Sequence, residues 1–260
     1  MRQFATLFMK ELRDAMRSFK LLWMPLVFLS LGISDPLVNY YMDDIMASVG
    51  NLPDGFEMII PEFTPADLML ASTGQFQMIG LVVIVAVYAS AISRERQNGT
   101  AAFLYARPLN FTAYFFSKYV MAALVAVLCV IFGYGGSIYY TTILFDDIDW
   151  VNALAMMAAY SLWLLFVIAF TLCMSALFKT AVSMFVSIMV LVIGVLIDSI
   201  IGSYWALSPY KLSTYAVDFV TLGEENEHFA TTALITVCLT IVFIVIGIVM
   251  SKVNMKKLVL

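Results

Sequence analysis

Apolar and polar positions alternate with helical spacing from the start of the chain. In residues 3–20, QFATLFMKELRDAMRSFK, the apolar positions Phe4, Leu7, Phe8, Leu12, Ala15, Met16 and Phe19 recur every three or four residues, with Lys10, Arg13, Arg17 and Lys20 between them. This predicts a basic amphipathic helix. Since an apolar run follows at once, the helix is expected to lie along a membrane surface with its apolar face at the lipid boundary.

Beyond it the pattern changes to long uninterrupted apolar runs. A helix is the one open-ended structure that satisfies its own backbone hydrogen bonds in lipid, and it needs ~20 apolar residues to cross. Six segments qualify: 21–40, 75–93, 119–141, 152–178, 181–201 and 231–251. The first is interrupted by Pro25 and ends near Asp35 and Pro36. Between the runs lie an acidic loop at 41–74, a basic loop at 94–118 and an aromatic-rich loop at 202–230, while the fourth and fifth runs are joined by little more than Lys179. Pro53, Pro61 and Pro65 limit the first loop to short helices or irregular structure. The expectation is an all-α polytopic membrane protein, one transmembrane domain of six helices over residues 1–260, preceded by an interfacial helix.

Composition makes a soluble reading untenable. Hydrophobic residues make up 63% of the chain and charged residues 12%, with a mean hydropathy of +0.95, against roughly 45–50% apolar and ~25% charged in soluble domains. Cys129, Cys173 and Cys238 each fall inside an apolar run and read as small buried hydrophobes rather than disulfide partners or metal ligands. The mixed polar and apolar residues ahead of the first run do not resemble a cleavable signal peptide, so that span is expected to persist.

Charge sets the orientation. With six spans, Arg2, Lys10, Arg13, Arg17, Lys20, Arg94, Arg96, Arg107, Lys118, Lys179, Lys252, Lys256 and Lys257 share one side, and Lys211 alone falls on the other. By the positive-inside rule the basic side is the cytoplasm, which places both termini there in a multi-pass protein of the cell membrane. Most acids, from Asp35 and Asp43 through Asp149 to Glu227, fall on or near the outer side.

Most catalytic patterns are absent. His228 has no second His or nearby Cys, so no zinc site of the usual kind assembles, and no GxxxxGK[ST] loop is present to bind ATP. No catalytic, cofactor or metal residue is assigned, and no nucleic-acid partner is expected. Asp198, inside VLVIGVLIDSIIG, is the one acid well within an apolar run, where ionisable groups are costly and often functional. Its place toward the outer end of the run equally allows it to reach headgroups or water. Gly133 and Ser137 have small-xxx-small spacing, which suits close helix packing within one subunit or between two.

The loop after the second run, SRERQNGTAAFLYARPLNFTAYFFSKYV, is the only sizeable loop on the basic side. Arg94–Asn98 extend the run as a polar helix, Gly99 interrupts it, and an apolar patch at Ala101–Tyr105 precedes Arg107 and Pro108. Together with the amphipathic N-terminus, the six runs and the broken segment around LSPYK, this sequence resembles the ABC-2 type permease family over nearly the whole chain.

That resemblance implies a permease subunit, in most such systems an exporter, that moves substrate along the interface of a homo- or heterodimer while ATP is bound by a separate ATPase. It implies that the loop carries a coupling helix, with Arg94, Glu95, Arg96, Gly99, Thr100, Phe103 and Tyr105 as docking candidates and Pro108 and Lys118 at the return to the membrane. Tyr204, Trp205 and Tyr210, with Asp198, become candidates for the exit of the pathway; rings at the headgroup level explain the aromatics equally well. The long acidic loop at 41–74 departs from compact members of the family.

Two other classes fit parts of the pattern. A gradient-driven transporter needs partnered intramembrane ionisable groups and often paired repeats, whereas a membrane anchor that recruits an ATPase without transporting shares every feature named so far. A lipid-modifying enzyme needs a cluster of His, Asp or Glu at a membrane face, and one His does not supply it.

Overall fold

The computed structural model describes residues 2–49, 63–98 and 110–256. Helix α1 (Arg2–Arg17) leads through an elbow at Ser18 and Phe19 into α2 (Lys20–Tyr40), followed by the short α3 (Met42–Val49). The second span runs as α4 (Pro65–Gln75), a π-helical turn (Phe76–Gly80), α5 (Leu81–Tyr88) and α6 (Ser93–Gln97). The remaining spans are α7 (Phe111–Leu144), α8 (Trp150–Leu177), α9 (Thr180–Ile201) and α11 (Phe229–Lys256). Between the last two, 3-10 turns at Gly202–Tyr204 and Pro209–Lys211 precede α10 (Leu212–Thr221). No strand occurs among the described residues, and six helices are long and apolar enough to cross a membrane.

The helix boundaries follow local capping rather than hydropathy. The second span starts at Pro65, inside the expected 41–74 loop, because Thr64 and Asp67 form a capping box: the Thr64 side chain accepts from Asp67 N, and Asp67 Oδ2 accepts from Thr64 N at 3.0 Å. The third starts at Phe111 rather than 119, because Asn110 Oδ1 accepts from Thr112 N at 3.0 Å and Ala113 N at 3.3 Å. At 34 residues, α7 is about 50 Å long, well beyond the ~30 Å hydrocarbon core. Its N-terminal turns pack against α1, with the Phe4 and Phe116 rings 5.9 Å apart. Pro25 and Pro36 both sit inside α2, which runs on to Tyr40.

α8 lies at the centre, burying Tyr160, Trp163, Leu164, Val167, Ile168 and Leu172. Against it pack α5, α7, α9, α10 and α11, while α2 lies on the far side of α7. The contact between α2 and α7 rests on missing side chains. A Cβ at Gly32 would strike the backbone carbonyl of Gly133, and one at Gly136 would sit 2.6 Å from Leu29 Cδ1. Ser137 Oγ lies 2.9 Å from Ser72 Oγ on α4, so both members of the small-xxx-small pair are used inside the chain. Thr73 Oγ1 and the Tyr134 hydroxyl, 2.7 Å apart, close the polar part of this layer beside the stacked rings of Phe28 and Phe76.

Gly32→Val is expected to lower the melting temperature of the purified protein in detergent, in line with an overpacking cost of about 1–3 kcal/mol. Gly135→Ala is the control, since a Cβ there meets nothing within 4 Å. Equal melting of the two variants would show that the helices tolerate separation.

Charge divides the bundle by ends. Following the chain up and down, the described basic residues gather at one end, and the described loops at the other carry Asp146, Asp147, Asp149, Asp218, Glu224, Glu225 and Glu227. Lys211 is the only lysine or arginine at the acidic end among the described residues. Cys129 and Cys173 are buried, whereas Cys238 is exposed on the apolar outer surface of α11, unlike the buried position expected for it.

Candidate functional site

At the basic end, four charges from three elements meet. Lys118 on α7 is only 4% exposed and lies 2.8 Å from Glu11 Oε1 on α1 and 3.0 Å from Glu95 Oε1 on α6. Lys10 is 2.5 Å from the same Glu95 oxygen and 3.3 Å from Glu11 Oε1. The Tyr114 hydroxyl donates to Glu95 Oε2 at 2.5 Å, and the Lys118 ammonium sits 5.3 Å from the centre of the Tyr114 ring. Two cations and two anions thus share one partly dry site, where each charge relies on the others for its solvation. Burial alone would lower the pKa of Lys10, but the carboxylates of Glu95 and Glu11 outweigh it and hold the value above that of an ordinary lysine. The tie is therefore complete at neutral pH, and on the alkaline side it is lost as pH rises past the lysine range.

The other side of α6 is fastened to the core. Ser175 Oγ on α8 accepts from the backbone N–H groups of Ile92 and Ser93, each at 3.1 Å, where the second span bends between α5 and α6. Arg96 donates to the carbonyls of Ala176 at 2.7 Å and Phe178 at 2.5 Å. Asn254 on α11 donates to the Ala176 carbonyl at 2.9 Å. These carbonyls end α8 and have no partner within their own helix, so a guanidinium and an amide there complete the helix and complement its dipole.

Of the docking candidates on this segment, Glu95 and Arg96 point inward and are occupied within the chain, whereas Arg94 is exposed. Gly99, Thr100, Phe103 and Tyr105, with Arg107 and Pro108, lie outside the described residues. Lys118, read from sequence as a marker of the return to the membrane, is the hub of the cluster. Lys10 and Glu11 were legible only as polar positions of an amphipathic helix. A cavity of about 370 Å³ between α1 and α6 is lined by this cluster together with Asp14, Lys20, Arg94 and Asn98.

The acidic end holds a second buried charge pair. Asp198 on α9 is 9% exposed, its Oδ2 lies 3.5 Å from Lys211 Nζ, and its Oδ1 has no hydrogen-bond partner. Lys211 lies across Gly202, where a Cβ would run into its ammonium group. Tyr210 packs on Trp163 with ring centres 5.1 Å apart and occupies the space left by Gly194. Gln77, from the π-helical turn of the second span, hydrogen-bonds Ser213 on α10. Asp198, Tyr210 and Lys211 thus share one cavity of about 450 Å³. Tyr204 is 93% exposed and Trp205 is 41% exposed; neither lines that cavity. Asp35 on α2 accepts from Gln75 Nε2 at 2.7 Å, a further intramembrane acid tied to the second span.

Among the described residues no group of His, Cys, Asp or Glu is arranged to hold a metal ion. Six helices long and apolar enough to cross a membrane define a polytopic membrane protein. The chain belongs to the ABC-2 transporter family, whose model, described as ABC-2 family transporter protein, matches residues 5–252. Members of that family are membrane subunits of ABC transporters. The chain is also 29% identical over 180 residues to the uncharacterized transmembrane protein YxlG of Bacillus subtilis (strain 168), across 69% of this chain and 70% of that one.

Proposed function

We propose that this chain is the permease subunit of an ABC exporter of the cell membrane, with both termini in the cytoplasm and a separate ATPase docking on the loop between α6 and α7. The orientation follows from the basic end of the bundle. In this reading Glu95 and Arg96 do not contact the ATPase. They anchor the base of the docking loop, Glu95 to α1 and α7, Arg96 to the end of α8, while Arg94 and the segment from Gly99 to Tyr105 supply the contact surface. The observation that carries it is the cluster of Lys10, Glu11, Glu95 and Lys118: a push on the loop reaches α1 and the second and third spans together.

Two such subunits, alike or homologous, would enclose the path, and ATP bound by the partner subunits would drive it by favouring one conformation over the other. Asp198, Lys211 and Asp35 supply the intramembrane ionisable groups that a gradient-driven transporter needs. However, the first two sit near the outer helix ends rather than at mid-membrane, and family membership favours the ATP-driven reading.

Co-purification in mild detergent with the candidate ATPase subunit tests the proposal. Replacing Gly99–Tyr105 by a Gly-Ser segment of equal length is expected to abolish the complex without lowering the protein's melting temperature. Arg96→Met is expected to lower the melting temperature and weaken the complex only in proportion. If the ATPase remained bound to the replaced-loop protein, docking on this loop would be refuted.

A further inference from the structure

We infer that the outward face of α1 is a binding surface for the phosphates of anionic membrane lipids, read by Arg13 and Arg17. This requires the membrane spans but not ATPase docking. The charged residues of α1 differ in what they leave unpaired. Lys10 and Glu11 are used up in the cluster with Glu95 and Lys118, and Asp14 lies 3.6 Å from Lys20. Arg13 and Arg17, one helical turn apart, are exposed and have no ion-pair partner among the described residues. They line an open groove of about 680 Å³ together with Met9, Lys10 and Asp14.

The apolar surroundings indicate lipid rather than a soluble partner. Met9 and Met16 are 54% and 61% exposed on the same face, and Phe19 and Leu22 carry that surface into the first span. The elbow is short and fixed. Phe19 adopts a left-handed conformation (φ 55°, ψ 18°), and Leu22 N and Trp23 N both donate to its carbonyl at 2.9 Å. So short a link holds α1 at the depth where the first span enters the headgroup region. At that depth arginine forks meet phosphate oxygens, and methionine and phenylalanine meet the upper acyl chains.

The full-length protein, carrying Trp150→Phe and Trp205→Phe so that Trp23 and the buried Trp163 remain, would be reconstituted in bilayers. Quenching of Trp23 by brominated phosphatidylglycerol and by brominated phosphatidylcholine would then be compared. At low salt the native arginines should give phosphatidylglycerol an advantage of about three- to tenfold, as expected for two interfacial cations. The advantage should fall toward unity at about 0.5 M salt and in Arg13→Gln/Arg17→Gln, and persist in Arg13→Lys/Arg17→Lys. No advantage in the native protein, or an advantage that survives the glutamine pair, would overturn the inference. So would an unchanged lipid preference in the glutamine pair accompanied by loss of the ATPase on co-purification, since the face would then dock protein.

Discussion

Lys118→Met is expected to lower both the thermal stability of the purified protein and its yield of ATPase complex, whereas adding Glu95→Gln to it should restore the first and not the second. Lys118 is 4% exposed, and its removal leaves Glu11 and Glu95, 16% and 19% exposed, to share only Lys10. Removing one partner of a buried charge group costs about 3–5 kcal/mol, mostly because the remaining charge has lost its solvation. Neutralising Glu95 as well leaves Lys10 and Glu11 as a balanced pair 3.3 Å apart, so the penalty should largely disappear. The ion pair between α6 and α7 stays cut, however, and the proposed docking loop keeps only the hydrogen bond from the Tyr114 hydroxyl to residue 95 as its tie to α7. Melting in detergent and co-purification read the two consequences separately. If the single variant melted and bound like the native protein, the cluster would not be a junction. If the double variant regained both properties, Lys118 would serve only to balance charge.

What the sequence reveals here depends on the range of the interaction that fixes each feature. The six spans are properties of single segments, since burying ~20 apolar residues in lipid needs no knowledge of neighbours. Their ends are decided by hydrogen bonds to one or two polar side chains, and hydropathy is blind to these. Thr64-Pro65-Ala66-Asp67 is a capping box by spacing alone, and Asn110 ahead of Phe111 is a strong N-cap residue, so both starts were legible from capping signals. The site differs in kind. Lys10 and Glu95 are 85 positions apart, and nothing local to RERQ distinguishes an inward Glu95 from an outward Arg94. The helical phase relative to α7 decides it, and that phase is tertiary.

At the acidic end the sequence held more than its separate features suggested. Asp198 stood out as the one acid deep in an apolar run, and Lys211 as the one base on the outer side. A buried charge calls for a partner, so two such exceptions on adjacent elements point to each other. In the structure they are 3.5 Å apart, and the pair fastens the segment from Pro209 into α10 onto the last turn of α9.

Lys211→Met is therefore expected to release that segment, and Asp198→Asn to be much milder. Without Lys211 the Asp198 carboxylate, already lacking a partner at Oδ1, has no counterion in a site that is about nine-tenths buried, at a cost of about 3–5 kcal/mol. Without the carboxylate, Lys211 retains a long flexible stem and can carry its ammonium to the headgroup region. The penalty should appear as local opening, because Lys211 lies on a segment joined to its span by short turns. Ser213, 4% exposed and bonded to Gln77, reports that opening when replaced by Cys in a Cys238→Ser background. Labelling by a membrane-impermeant maleimide should be at least about tenfold faster in Lys211→Met than in the parent. Asp198→Asn/Lys211→Met should fall between them. Gly202→Val should reproduce the effect with both charges present, because a side chain there displaces the Lys211 ammonium. Equal labelling in the parent and all four variants would mean that apolar packing holds α10 in place and that the charge pair does not latch this end of the bundle.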